Sequence, residues 1–96
     1  MRTWKPRELE KSLTAKGFKK HSSHHDMYRL YVDGQKTCVK TFVSHSLTEY
    51  GADLLGKMRR QMQLQTNKPL FDRLLECPAS HEDYVRELKR ANILAN

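Results

Sequence analysis

The sequence contains little cysteine and no long apolar run. Cys38 and Cys77 are its only cysteines and lack Cys-x-x-Cys spacing, which indicates neither a disulfide framework nor a cysteine zinc site. Both are expected to be free, partly buried thiols. No apolar stretch approaches the roughly 20 residues of a membrane-spanning helix, and the basic N-terminus lacks the apolar segment of a secretory signal. These absences predict a soluble, cytoplasmic protein with no membrane partner.

Negative charge is scarce in the first two thirds of the chain. The 96 residues are 38% hydrophobic and 30% charged, the composition of one small globular domain. Residues 1–66 hold 13 Lys and Arg against six Asp and Glu, whereas residues 67–96 hold five of each, so the whole net charge of +7 lies before residue 67. A cationic surface confined to one region favours a polyanion such as RNA or DNA. On charge alone, a solvated face that only aids solubility is an equal alternative.

A helix followed by three strands is predicted for the first half of the chain. Pro6 suits the first position of a helix, and Gly17 suits the left-handed residue that closes one. Asp33-Gly34 is a hairpin turn signal between two strand-like runs. The predicted bounds are a helix over 6–16 and strands over 18–21, 27–32 and 36–43.

Side-chain alternation assigns the faces of the second strand but not those of the third. In the second strand, the core face takes Tyr28, Leu30 and Val32, and the opposite face takes His25, Met27, Arg29 and Tyr31. In the third strand, Val39, Thr41 and Val43 compete with Cys38 and Phe42 for the inner face, and the register stays open.

Three helices are predicted after the strands. Ser46-Leu47-Thr48-Glu49 has the form of a capping box, which predicts a helix over 46–64. Its buried stripe would be Leu47, Tyr50, Leu54, Met58 and Met62, with the methionines in the core. A short helix with Leu70, Phe71, Leu74 and Leu75 ends near Pro78, and Ser80 caps a last helix that buries Tyr84, Val85, Leu88 and Ile93. The predicted fold class is α+β, with helices on one face of an antiparallel sheet and the other face free for a ligand.

Four sequence features in this order resemble the HicA family of toxin-antitoxin toxins. They are the leading helix, Gly17-Phe18, the run Ser22-Ser23-His24-His25 before the second strand, and the link Val43-Ser44-His45-Ser46 into the next helix. The resemblance covers roughly residues 5–66. It implies a double-stranded-RNA-binding-domain-like fold, helix, three antiparallel strands and helix, with two additional C-terminal helices. Residues 1–66 would be the ribonuclease core, and residues 67–96 an extension packed on the same domain.

The chain departs from the family pattern at three places. Ser22 replaces the glycine of the usual Gly-Ser-His-His or Gly-Ser-Asn-His, and Asp26 stands where an apolar residue is usual. The link keeps His45 but lacks the proline of Val-Pro-x-His. The C-terminal part matches the Phe-x-x-Leu-x-x-Cys-Pro pattern of longer relatives through Phe71, Leu74, Cys77 and Pro78.

The resemblance implies an mRNA interferase, a metal-independent endoribonuclease without cofactors that a HicB-like antitoxin silences by covering the active site. The catalytic role falls on His25, since a histidine can take the proton of a ribose 2′-hydroxyl or protonate the leaving 5′-oxygen. Arg29, on the same strand face, would stabilise the phosphorane, and His24 and His45 are accessory candidates. The predicted RNA contacts are Lys19, Lys20, Lys40, Lys57 and Arg60, with Lys19 and Lys20 best placed.

Each of these assignments has a plainer alternative. Without the family resemblance, His25 is more simply a surface histidine; His24 would bond a backbone carbonyl, and His45 would tie the strand to the next helix. A metal site is disfavoured because adjacent residues of one strand point to opposite faces. A non-catalytic RNA-binding module with the same fold would tolerate loss of His25, whereas a ribonuclease would not. A protein-interaction domain built on the balanced C-terminal helices would bind RNA weakly and with little salt dependence.

Overall fold

The computed structural model describes residues 3–22, 26–44, 48–76 and 78–94. Within these residues it has the α+β architecture that the sequence predicts, with one three-stranded antiparallel sheet and four helices. The elements are α1 (Pro6–Ala15), β1 (Phe18–Ser22), β2 (Asp26–Val32), β3 (Gln35–Phe42), α2 (Ala52–Gln61), α3 (Lys68–Leu75) and α4 (His81–Arg90).

Helix α1 begins and ends close to the predicted residues. Pro6 occupies its first turn, and the backbone N–H of Lys5 donates to Oε1 of Glu8 at 2.9 Å. Leu9 and Leu13, four residues apart, are buried. Gly17 follows the helix with φ +95°, a left-handed conformation that glycine adopts without steric penalty.

The sheet has the strand order β1-β2-β3, and both pairs are antiparallel. Asp33 (φ 54°) and Gly34 (φ 80°) both have positive φ, as a type I′ hairpin turn requires. The β2–β3 register shifts between Arg29 and Tyr31, where β3 contains a bulge. The hairpin predicted at Asp33-Gly34 is therefore confirmed.

Packing against the helices decides the faces of the sheet. The inner face is formed by Phe18, Tyr28, Leu30, Val39 and Thr41, all buried, with Val32 partly buried beside them. Val43, directly after β3, is also buried, whereas Cys38 and Phe42 are exposed. This settles the register that the sequence leaves open. The expectation of a partly buried Cys38 is wrong, because Cys38 lies on the face that the helices do not cover.

Helix α2 begins six residues later than predicted, at Ala52 with Gly51 as its N-cap. The prediction of a helix from residue 46 is wrong, because the backbone at 48–51 is not helical. Tyr50 pairs with Trp4 instead: Tyr50 N–H donates to Trp4 C=O at 2.6 Å, and Trp4 N–H donates to Tyr50 C=O at 3.1 Å. This bridge needs extended backbone at Tyr50 and buries both rings. Burial of two large aromatic side chains stabilises a fold by more than a helix cap does.

The methionines of α2 belong to the core, as predicted. Met58 and Met62 are buried together with Leu55, while Leu54 is only partly buried. Leu47, predicted to begin this stripe, lies outside the described residues. The prediction that Met58 and Met62 pack in the core is therefore confirmed.

Helices α3 and α4 share one core with the sheet. Phe18 of β1 stacks on Tyr84 of α4 with ring centroids 6.0 Å apart, and Tyr84 OH donates to the carbonyl of Met62 at 2.6 Å. Ser12 of α1 donates to the carbonyl of Leu75 at 2.9 Å. The predicted burial of Val85 is only partial. None of the helices within the described ranges has the length and apolarity needed to cross a bilayer.

Candidate nucleic-acid interface

The face of the sheet opposite the helices is polar and largely cationic. We call it the outer face and define it by the described residues Lys19, His21, Met27, Arg29, Tyr31, Lys36, Cys38, Lys40 and Phe42. All of them are exposed or half-buried, because they alternate with the buried residues of the inner face. The free face that the sequence predicts is present among these residues.

Three cations lie in a row across the outer face. Lys19 of β1 is directly opposite Arg29 of β2, which is directly opposite Lys40 of β3. Neighbouring strands are about 4.8 Å apart, and like charges directly opposite each other destabilise a sheet. The described part of this face contains no Asp or Glu that could offset the repulsion. A bound polyanion would offset it, whereas solvent and salt only screen it.

Arg29, in the centre of this row, has a fixed position. It is half-buried, and its Nη1 donates to the carbonyl of Thr37 at 2.8 Å. A guanidinium has five N–H donors, so most of them stay available for phosphate oxygens. An arginine held by one backbone contact is suited to stabilise negative charge without reorganising.

Tyr31 connects two further groups on the outer face. Nζ of Lys19 lies 4.5 Å from the centre of the Tyr31 ring. His21 stacks on the same ring, with centroids 6.0 Å apart and planes 17° apart, and its Nε2 is 3.3 Å from Tyr31 OH. His21 belongs to none of the sequence motifs described above. It lies two residues after Lys19 in β1, and residues two apart in a strand point to the same face.

Lys20 does not join Lys19. Its ammonium lies on the other side of the strand, 3.8 Å from Oε1 of Glu10 and 3.7 Å from Oδ2 of Asp26. The same two carboxylates lie near the phenol of Tyr28. Burial raises the pKa of that phenol well above its usual range, and the negative charges of Glu10 and Asp26 raise it further. The charge of Lys20 is thus balanced locally and contributes little to the field of the outer face.

The two predicted RNA contacts on α2 have different surroundings. Lys57 is exposed and lines a groove with Phe42, at the end of the outer face. Arg60 is exposed in the last turn of α2, where the helix dipole stabilises a positive charge. Among the described contacts, none joins Arg60 to the sheet.

The catalytic candidate His25 and the accessory candidates His24 and His45 lie outside the described residues. Their roles stay predictions. In the chain, His25 directly precedes Asp26, the first residue of β2, whose carbonyl accepts the N–H of Val43 at 3.1 Å. Across the described ranges, no three His, Cys, Asp or Glu side chains are grouped so as to hold a metal ion.

Two grooves elsewhere on the molecule have mixed charge. The groove between α2 and α3 holds Arg59 and Lys68 together with Asp72 and Glu76. The groove beside α4 holds Arg73, Arg86 and Arg90 together with Asp83 and Glu87. Neither favours a polyanion as the outer face does.

Comparison of the chain with family models, with curated proteins and with solved structures finds no match.

Proposed function

We propose that this protein is an RNA-cleaving toxin of the HicA type, built on a double-stranded-RNA-binding-domain-like core, and that it binds RNA on the outer face. The row Lys19, Arg29 and Lys40, on a face whose described residues include no carboxylate, is the observation that carries the proposal. A row of this kind is electrostatically unfavourable in the free protein and becomes favourable against phosphates. Such contacts recognise the backbone and shape of RNA rather than its bases.

The proposed reaction needs only side chains and the RNA itself. His25 takes the proton of a ribose 2′-hydroxyl, the 2′-oxygen attacks the adjacent phosphorus, and the bond from phosphorus to the 5′-oxygen breaks. A protonated imidazole supplies the proton to the leaving 5′-oxygen. Arg29 stabilises the charge that develops on the phosphorane oxygens. The products are a 2′,3′-cyclic phosphate and a free 5′-hydroxyl.

His21 is a second candidate for one of the two proton transfers. It lies on the outer face beside Tyr31 and Lys19, and an imidazole can act as donor or acceptor. Two histidines with separate roles would make the rate depend on pH with two limbs, one for the base and one for the acid.

The proposed partner in the cell is a HicB-like antitoxin in the cytoplasm. An antitoxin that covers the outer face would have to offer carboxylates to the cations there, because those charges are otherwise buried unpaired at the interface. The same surface would then serve RNA and inhibitor, and their binding would be mutually exclusive.

The test is incubation of a long unstructured RNA with the purified protein in chelator. The parent is compared with His25→Ala and His21→Ala after circular dichroism shows that all three fold alike. We expect the parent to cleave and leave 2′,3′-cyclic phosphates, and His25→Ala to lose at least a hundred-fold in rate, the usual contribution of a general acid or base. Cleavage that survives in His25→Ala would assign the chemistry elsewhere.

The alternative is a non-catalytic RNA-binding module. Lys19, His21 and Tyr31, together with the cation row, would support RNA binding whether or not a bond is broken, and in this respect they fit the alternative equally well. Intact RNA that all three proteins bind equally would establish this alternative.

A further inference from the structure

A groove at one end of the outer face contains an exposed aromatic ring. Phe42 is 39% exposed, and no other large hydrophobic side chain among the described residues is exposed. The groove has a volume of about 400 Å³, within the usual range of small-molecule pockets. Its lining, from the end of β3 and from α2, consists of Phe42, Ser44, Tyr50, Leu54, Lys57, Met58 and Gln61.

Two polar side chains in this groove are held in place by other contacts. Oε1 of Gln61 accepts from Thr41 Oγ1 at 2.6 Å, which leaves the amide N–H groups of Gln61 without a partner in the described residues. Tyr50 OH accepts the backbone N–H of Ser44 at 2.7 Å, so its own proton is available to an acceptor. The groove thus combines an aromatic surface with fixed hydrogen-bond donors.

We propose that this groove is a subsite for one unstacked base of a single-stranded RNA, an inference that rests on the proposed function. The base would stack on Phe42, and its acceptor atoms would take hydrogen bonds from Gln61 and Tyr50. The exposed ammonium of Lys57, at the rim, would contact the phosphate of the same nucleotide. The described lining residues include Lys57 and no carboxylate, so their charge complements a nucleotide.

The position of the groove connects it to the proposed chemistry. Phe42 is the cross-strand partner of Met27, and Lys40 of the cation row lies two residues before Phe42 on the same face. His25 directly precedes Asp26 and Met27 in the chain. A base on Phe42 would therefore hold its flanking phosphates at the end of the sheet where the chain enters β2.

The experiment uses a short, mixed-sequence 2′-O-methyl oligoribonucleotide, which binds but lacks the 2′-hydroxyl needed for cleavage. Its affinity is measured by fluorescence anisotropy for the parent, Phe42→Trp and Phe42→Leu. We expect Phe42→Leu to weaken binding about ten-fold, because leucine fills space but offers no ring for stacking, and Phe42→Trp to bind at least as well as the parent. The salt dependence of binding should be the same in all three, since no phosphate contact is removed.

Two results would overturn the subsite and are distinguishable from each other. Equal affinities for the parent and Phe42→Leu would show that RNA binds without stacking on Phe42, and would leave RNA binding itself intact. No binding by the folded parent would overturn the subsite together with the proposed function. For Phe42→Trp, a fluorescence change on adding the oligonucleotide, beyond that of the buried Trp4, is the expected direct sign of stacking.

Discussion

Of the four glycines, Gly17 is the one at which an added Cβ would clash with another residue. Its φ is +95°, and a Cβ placed there would clash with Nδ1 of His81. The imidazole cannot easily move away, because the same Nδ1 lies within hydrogen-bond distance of the carbonyl of Lys16, at 2.8 Å. His81 thus ties the start of α4 to the end of α1.

Gly17→Ala is expected to lower the free energy of unfolding by more than the about 1–2 kcal/mol of a left-handed alanine, because a steric clash adds to the backbone strain. Gly34→Ala is the matched control: φ is +80° there, but nothing lies within 4 Å of the added Cβ. Urea denaturation of both variants measures the difference. Equal losses in the two would contradict the contact with His81.

Lys40 is the member of the cation row whose substitution tests the row most simply, since it is exposed, whereas Lys19 contacts the Tyr31 ring and Arg29 bonds the carbonyl of Thr37. Lys40→Gln is expected to weaken binding of a 2′-O-methyl RNA and to lower the slope of log affinity against log salt by about 0.7, the effect of one lost phosphate contact on a single strand. Lys11→Gln removes the same charge from an exposed position on α1, in the layer on the other side of the sheet. A slope that falls equally in both variants would mean that net charge, not the row, governs binding.

At the scale of elements, two segments have the sequence form of a helix capping box, but only one of them starts a helix in the described residues. Ser80-His81-Glu82-Asp83 starts α4 with a capping box: Asp83 N–H donates to Ser80 Oγ at 3.2 Å, and Ser80 N–H donates to Asp83 Oδ2 at 3.0 Å. The earlier motif of this form is Ser46-Leu47-Thr48-Glu49. Its residues Thr48 and Glu49 lie outside any helix. The difference arises because Tyr50 has a bridging partner in Trp4, whereas α4 has no competing pairing at its start.

The capping box of α4 makes stability depend on pH. The hydrogen bond from the Ser80 backbone, aided by the Ser80 hydroxyl and by Arg86, lowers the pKa of the Asp83 carboxyl in the folded state. A lowered pKa gives stability that is present above the unfolded value of about 3.9 and is lost as pH falls through the folded value. Asp83→Asn should therefore be less stable than the parent at neutral pH, and the difference should shrink as pH falls from about 3.9 through the folded pKa of Asp83.

The control for this prediction is Ser80→Ala, which removes the other half of the same capping box. It should cost about 1 kcal/mol at neutral pH, and its pH-dependent part should be smaller than that of Asp83→Asn, because the hydroxyl supplies only part of the lowering of the Asp83 pKa. Unfolding free energies from urea titrations at several pH values compare the two. A deficit of Asp83→Asn that stays constant from neutral to acid pH would contradict the assigned hydrogen bond.

At the scale of the whole molecule, the C-terminal helices are part of the core rather than an attachment to it. Six of their side chains are buried in the cluster that also holds the sheet and α1: Leu70, Phe71, Leu74, Leu75, Tyr84 and Leu88. A domain of 96 residues has little other apolar area to replace them. The sheet that presents the proposed RNA interface therefore depends on residues 67–94 for its stability. These residues carry no net charge and do not add to the positive charge of the outer face.

Removal of residues 67–96 is expected to abolish cooperative thermal unfolding, which calorimetry would detect. Leu88→Ala tests the same point in the intact chain and should cost about 2–5 kcal/mol. Arg86→Ala, on the exposed side of the same helix, should change stability by no more than about 0.5 kcal/mol. A truncated protein that still unfolds cooperatively at the parent's midpoint would show that residues 3–66 form a sufficient core.

The sequence by itself determined the features that depend on a few neighbouring residues. The end of α1 at Gly17, the hairpin at Asp33-Gly34 and the start of α4 at Ser80 follow from backbone conformations and local hydrogen bonds that those residue types favour. The faces of β2 follow from alternation alone. The catalytic candidate His25 also comes from sequence alone and stays a prediction.

Only the tertiary structure decided the features that depend on residues far apart in the chain. Burial of Val39 and Val43 fixed the register of β3, and the bridge between Tyr50 and Trp4 delayed the start of α2. Strand pairing aligned Lys19, Arg29 and Lys40 and turned Lys20 toward Glu10. Local sequence does not encode which strand lies opposite which residue, because pairing and burial energies are set by contacts that form only when the chain is folded.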